Sequence, residues 1–390
     1  MDLETFQLLL SDRGQTALRM AAELNPSEAR FLQCFDRLRK SLPAPLARAA
    51  LETVLLRERA RARFPNAEKM YFTRESLEQA TGETLARHRA KRYSQYDPVL
   101  DLCTGIGGDA IALARASRFV HAVEMDPLRL EMARANATAL GLEKRIEFHL
   151  GDVASVPLPE AKAAFADPGR RSDGRRHLDP EDYSPRLSQL RGLFPSDFPL
   201  GVKVAPGVPV REIVRLGCEM EFVSLDGELK ECVLWFGPLR TAARRASLLP
   251  SGATLFADVE ESWPEVCSPR EYLYDLDAAV VRAGLCGQVA REFDLAPMDA
   301  TVALFTGSRP SHTPMARVYR IEWAGRYHAA QLREHLRARH VGRVTFTKRG
   351  SRLDSEELGK KLKLEGSEHR QVFLTQIGGE QSVIVCETIS

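Results

Sequence analysis

The chain has 390 residues, too many for one small core, with 44% hydrophobic and 28% charged residues, an ordinary globular composition. Its 55 basic and 53 acidic residues leave a net charge of +2, which neither announces a nucleic-acid binder nor excludes one, since clustering outweighs the total. No run approaches the roughly 18 apolar residues of a membrane span, the start MDLETFQLLLSDRG lacks a basic n-region, and the seven cysteines never pair as CxxC. A cytoplasmic chain with free thiols and no metal site is therefore expected.

Residues 1–95 predict a helical N-terminal domain. GQTALRMAAEL, SEARFLQCFDRLRKSL and APLARAALETVLLRERARARF repeat apolar residues at three- and four-residue spacing, with Asn25-Pro26-Ser27 and Pro43 as connectors. YFTRESLEQATGETLARHRAKRY continues as an amphipathic helix capped by Thr73. From Val99, short apolar runs alternate with helical stretches: PVLDLC, TGIGGDAIALARA, RFVHAVEMD, PLRLEMARANATALGL, RIEFHLGD, AAFAD, SPRLSQLRGLF and PLGVKVAPG. This alternation predicts an α/β domain over 96–238, its parallel sheet covered on both faces. CEMEFVSLDG and ELKECVLWFG, joined at Asp226-Gly227, close it as an antiparallel pair. Residues 239–313 predict a connecting α+β region, with a hairpin across Pro250-Ser251-Gly252 and a helix over REYLYDLDAAVVRAGL. Residues 314–390 read as a small α+β domain in βαβαββ order, from RVYRIEW to SVIVCETI.

The glycine turn narrows the ligand. Asp101 ends the first strand just before Gly105, where a carboxylate repels a pyrophosphate and favours a cation. Glu124 ends the second strand, where an acid accepts both hydroxyls of a ribose. Asp152 follows the third, as an acceptor for an adenine amine. Acids after three successive strands, with Gly105, Gly107 and Gly108 in the first turn, suit S-adenosylmethionine (SAM) better than a nicotinamide cofactor.

VLDLCTGIGGDAIALA, AVEMDPLRLEMARANA, IEFHLGD and AFADP resemble the successive motifs of the class I SAM-dependent methyltransferases. The resemblance implies a Rossmann-like sheet and SAM as cofactor. Asp101 would serve its amino group, the three glycines its methionine part, Glu124 the ribose and Asp152 the adenine. Met125 would cover one adenine face, with a plain core position as the alternative. YFTRESLEQATGETLARHRAKRY together with GIGGDAI resembles the RNA cap guanine-N2 methyltransferases, whose helical lead-in covers the cofactor. That adds Phe72 and Thr73 to the expected cofactor site. VTFTKRGSRLDSEELGKKLKL resembles the THUMP-like domain of a bacterial methyltransferase family. THUMP domains bind RNA, so an RNA partner is implied.

AKAAFADPGRRSDGRRH is the candidate catalytic loop. In base-amine methyltransferases the fourth strand ends in Asp/Asn-Pro-Pro-aromatic, the acid accepting amine protons and the ring stacking on the base. By that resemblance Asp167 and Pro168 are kept, while Gly169 and Arg170 replace the second proline and the ring. Arg170 and Arg171 are then expected to stack on a base or to clamp a phosphate or carboxylate, with Tyr183 or Phe72 as another source of a ring. Arg175 and Arg176 read more readily as a solvated basic loop. Arg333, Arg337, Arg339, Arg343, Lys348, Arg349, Arg352, Lys360, Lys361 and Lys363 offer phosphate contacts, with Glu356, Glu357 and Glu365 interleaved. The expected function is SAM-dependent methylation of a base nitrogen in tRNA or rRNA. The alternatives are methylation of a small anionic metabolite or a protein, and a non-catalytic RNA-binding protein on the same fold.

Overall fold

Residues Ala44–Ala60 form a helix because small and unbranched apolar residues recur along it, and Leu46, Ala47, Ala50, Leu51 and Leu56 are buried. Asp2 and Ser11 cap the two helices that pack on it, Leu3–Leu10 and Asp12–Glu23. In the computed structural model, which describes residues 1–172, 175–259 and 262–389, the chain forms two compact units. One comprises 1–218 with 233–241, the other 219–232 with 242–390.

The first unit is built on five parallel strands: β1 (Val99–Leu102), β2 (Val120–Glu124), β3 (Ile146–Leu150), β4 (Ala163–Ala166) and β5 (Leu200–Val204). Their order is β5-β4-β1-β2-β3, and residues 233–236 run beside β5. Leu102 lies opposite both Val123 and Ala166, and Ala166 opposite Val202, so the carboxyl ends emerge along one edge. Every residue of β1, β4 and β5 is buried, as in a sheet covered on both faces. Phe6, Leu18, Leu46 and Phe72 share one apolar core with Val99, Ile111, Val120 and Phe165, which makes the N-terminal helices and the sheet one packed body.

The lead-in to β1 is two helices rather than one, Arg74–Gln79 and Glu83–Ala90, broken at Ala80-Thr81-Gly82. Gly82 starts the second helix in extended backbone.

In the second unit, strand Glu219–Leu225 runs parallel to Arg244–Leu249, which turns back into Ala253–Ala257. A further sheet sets Tyr272–Leu276 between Leu304–Gly307 and Ala316–Arg326, followed by Glu380–Thr388, Glu368–Ile377 and Val341–Lys348. Helices Ala329–Ala338 and Ser355–Leu362 lay Leu332, Leu336, Leu358 and Leu362 against Val372, Leu374, Val383 and Val385. The helix expected over REYLYDLDAAVVRAGL is a strand first and a helix only at Ala278–Ala283. Tyr272, Leu273 and Tyr274 favour the pleat, and the Asp277 carboxylate restarts the chain as a helix by accepting the Ala279 N–H at 2.8 Å. All seven cysteines are free thiols, and no described helix is long and apolar enough to cross a membrane.

Candidate cofactor and catalytic site

The turns that follow β1 to β4 line one cavity of about 890 Å³, within the roughly 300–1,000 Å³ of small-molecule clefts. Asp101, in β1, is buried and its Oδ2 accepts the Thr104 hydroxyl at 2.9 Å. Burial, and next the charge of Asp109, pushes the Asp101 carboxyl well above the usual carboxylate range, against the opposing Thr104 bond. A carboxyl raised in this way favours the folded state below its unfolded pKa, and that contribution is lost as pH rises through the folded pKa. Asp101→Asn is therefore expected to raise Tm at alkaline pH, with the gain vanishing below about pH 4. Thermal melts across pH read this directly, and a Tm that falls at alkaline pH contradicts it.

The turn after β1 depends on glycine. Gly105 and Gly107 take φ of 59° and 88°, and a Cβ on Gly107 would lie 3.2 Å from the Ala133 Cβ in the helix Pro127–Ala139. Glu124 ties this turn to the next one: its carboxylate accepts the N–H of Gly105 at 2.7 Å and of Asp126 at 3.0 Å. Each oxygen retains a further lone pair for a hydroxyl. Gly108, Met125 and Asp152 line the same cavity. Met125 is 65% exposed, which removes the plain core reading.

Asp167 and Pro168 follow β4 and also line the cavity. The sequence reading missed their main partner. Lys203, buried in β5, donates to Asp167 Oδ2 at 2.6 Å and to the Thr81 hydroxyl at 2.9 Å. Its only sequence signal is a lysine inside the apolar run LGVKV. Thr81 reaches this position because the lead-in helix breaks there. Asp109, in the first turn of the helix Gly108–Ala116, pairs with buried Arg89, whose guanidinium lies 5.0 Å from the Phe165 ring centroid. Asn136 joins the lead-in to the glycine turn by bonding Tyr71 at both its N–H and its carbonyl, and the Ile106 carbonyl.

Arg170 is half-buried at the cavity wall, and its Nη1 is buried with no hydrogen-bond partner among the described residues. The side chains of Arg171, Arg175 and Arg176 lie outside the described residues. Two expected cofactor residues lie elsewhere. Phe72 is fully buried in the core beside Phe64, with ring centroids 5.5 Å apart, because a ring with no polar group gains most by leaving water. Thr73 is occupied as an N-cap, exchanging hydrogen bonds with Ser76. Tyr183, considered as a stacking ring, is buried and its hydroxyl accepts the Ala205 N–H at 3.0 Å.

SAM fits this donor set. The wall offers carboxylates to a molecule carrying an ammonium and a sulfonium, an exposed methionine to a flat ring, and a turn whose glycines let backbone approach closely.

Comparison with known proteins agrees. Residues 96–178 match the RNA cap guanine-N2 methyltransferase family, 316–388 the THUMP domain-like family, and 2–60 a domain of unknown function. Over 341 residues the chain is 34% identical to an uncharacterized S-adenosylmethionine-dependent methyltransferase of Mycobacterium tuberculosis, covering 84% of this chain and 92% of that one. A stretch of 77 residues is 39% identical to an uncharacterized RNA methyltransferase of Parasynechococcus marenigrum, covering 19% and 17% of the two chains. The crystal structure of a candidate methyltransferase from Porphyromonas gingivalis shares the fold with a TM-score of 0.77 at 20% identity, covering 96% of this chain and 98% of that one. Identity sustained over such a span, on a sheet whose strand ends build a cleft for a cationic nucleoside, makes this chain a member of the S-adenosylmethionine-dependent methyltransferases.

Proposed function

We propose that the enzyme methylates a nitrogen of an RNA base and that Asp167 receives the proton. The observation that carries this reading is the Asp167 carboxylate at the cavity wall. Lys203 holds Oδ2, and Oδ1 has no hydrogen-bond partner among the described residues. Asp101, Glu124, Asp152 and the glycine turn would hold SAM, which supplies an electrophilic methyl group. Oδ1 would accept an N–H of the target amine, orient its lone pair and take up the proton as the N–C bond forms and the sulfonium S–C bond breaks, the thioether leaving with the sulfur electron pair. Arg170 supplies a planar cation where relatives carry a ring, and its face would stack on a base. The acids Glu124, Asp126, Asp152 and Asp167 outnumber Arg129 and Arg170 along the wall. This charge balance disfavours an anionic metabolite and leaves an uncharged base unpenalised.

The similarity of residues 316–388 to THUMP domains supports RNA as the carrier of that base. The basic residues there are not equivalent. Arg333 and Arg337 donate to the carbonyls of Lys361 and Lys363, and Arg349 pairs with Asp275 at 3.0 Å, so these three serve the fold. Arg343, Lys348, Arg352, Lys360 and Lys363 are exposed and make no ion pair among the described residues. Replacing Lys348, Arg352 and Lys360 together by alanine is expected to weaken RNA binding and to flatten the log K against log salt plot by about 2–3 units of slope. Unchanged affinity and slope would remove this face from the RNA reading.

The function itself is tested by mass spectrometry of nucleosides from cells with and without the protein. One methylated nucleoside is expected to disappear and to return with the wild-type chain but not with Asp167→Ala. An unchanged nucleoside profile from cells in which the protein is expressed and binds SAM rejects the RNA reading.

A further inference from the structure

Away from the cavity, β2 and β3 bring together three side chains that the function does not use. His121 lies opposite Glu147 in the parallel register, and His149, two residues further along β3, projects from the same face as Glu147. Their donor atoms converge. His121 Nδ1 is 3.1 Å from His149 Nε2 and 3.2 Å from Glu147 Oε2, and His149 Nε2 is 3.8 Å from that same oxygen. The ring of Phe119 packs edge-on against His121, with centroids 5.1 Å apart.

Hydrogen bonding alone serves this cluster poorly. A proton on His121 Nδ1 can be directed squarely at His149 or at Glu147 but not at both, so one of the two is left to water. A metal ion satisfies all three at once. Bonds of about 2.0–2.2 Å in a tetrahedron put neighbouring ligand atoms roughly 3.4 Å apart, and the observed separations straddle that value. Two imidazoles and a carboxylate suit zinc and its first-row neighbours, whereas magnesium and calcium prefer oxygen donors throughout.

We propose that His121, Glu147 and His149 form a binding site for a divalent transition-metal ion of the zinc type, pinning β3 to β2. The residues sit on paired strands, so the site is pre-organised by the sheet rather than by a loop. The expectation of no metal site rested on cysteine spacing, which is silent about ligands carried on neighbouring strands.

The test uses the whole 390-residue chain, stripped with a chelator and titrated with Zn²⁺ against a chromophoric competitor. The wild-type chain is expected to bind one ion and to gain Tm on loading. His149→Ala and Glu147→Gln, both at partly exposed positions on the sheet surface, should each weaken binding by about tenfold or more and lose the Tm gain. Cys267→Ser, which alters a partly exposed thiol, should change neither. Circular dichroism confirms that the variants are folded. The proposal is overturned if the wild-type chain binds no zinc, if His149→Ala and Glu147→Gln bind it as tightly as wild type, or if Cys267→Ser is the variant that loses it.

Discussion

Replacing Asp167 by alanine is expected to slow methyl transfer by roughly 10²–10⁴-fold, the range for removing a positioned general base, while SAM affinity changes little. The variant carries a second effect that has to be separated from the first. Lys203 is buried and its ammonium is shared between Asp167 and Thr81. Removing the carboxylate leaves that charge without a counter-ion, at a cost of about 3–5 kcal/mol, on the order of 10 °C of Tm in a unit of this size. Asp167→Ala combined with Lys203→Met removes both charges and fills the space with an apolar chain of similar length. The pair is expected to recover most of the lost Tm and none of the lost activity. Recovery of activity along with Tm would mean that Asp167 acts only as the partner of Lys203. Single-turnover rates and melts on the three proteins, with SAM affinity by calorimetry, decide the matter.

Glu124 and Asp167 are legible in the sequence because each ends a short apolar run, and Asp101 because it stands inside one, third of the four residues of β1; a strand covered on both faces tolerates an acid only at its end or at a site. Asp152 is legible through the same rule applied to IEFHLGD. Lys203 is not legible in that way. Its partner is 36 residues distant, and pairing becomes visible only when β4 and β5 are set side by side. The helix break at Ala80-Thr81-Gly82 is hidden for a different reason. Helical spacing holds on both sides of it, and a glycine within a periodic stretch lowers helix propensity without stating where the chain turns. Phe72 and Thr73 illustrate the limit of resemblance. The residue types match the lead-in of a relative, but here a hydrophobic core claims the ring and a capping box claims the hydroxyl. The His121, Glu147 and His149 cluster escapes sequence reading altogether, because its spacing is set by strand register and by no motif along the chain.

Gly107→Val is expected to weaken SAM binding by at least about a hundredfold, roughly 2.7 kcal/mol, and to lower Tm as well. The backbone at φ 88° resists any branched residue, and the new Cβ would press on Ala133, so the turn has to move away from the helix it packs against. Because two causes act together there, Gly105 provides the cleaner measurement. It lines the cavity at φ 59°, and a Cβ added to it meets nothing within 4 Å. Asparagine tolerates the left-handed region better than other side-chain-bearing residues, so Gly105→Asn should keep the fold and its Tm near wild type. Its amide would occupy space that the cofactor needs, and calorimetry should show SAM affinity reduced by about tenfold or more, near 1.4 kcal/mol. If Gly105→Asn binds SAM as well as wild type does, the glycine turn is a folding device and the cofactor lies elsewhere along the wall. If it loses affinity while Tm holds, the loss is steric and occurs within the cavity. That outcome locates the methionine end of SAM against the turn after β1, on the side of the cavity that holds Asp101.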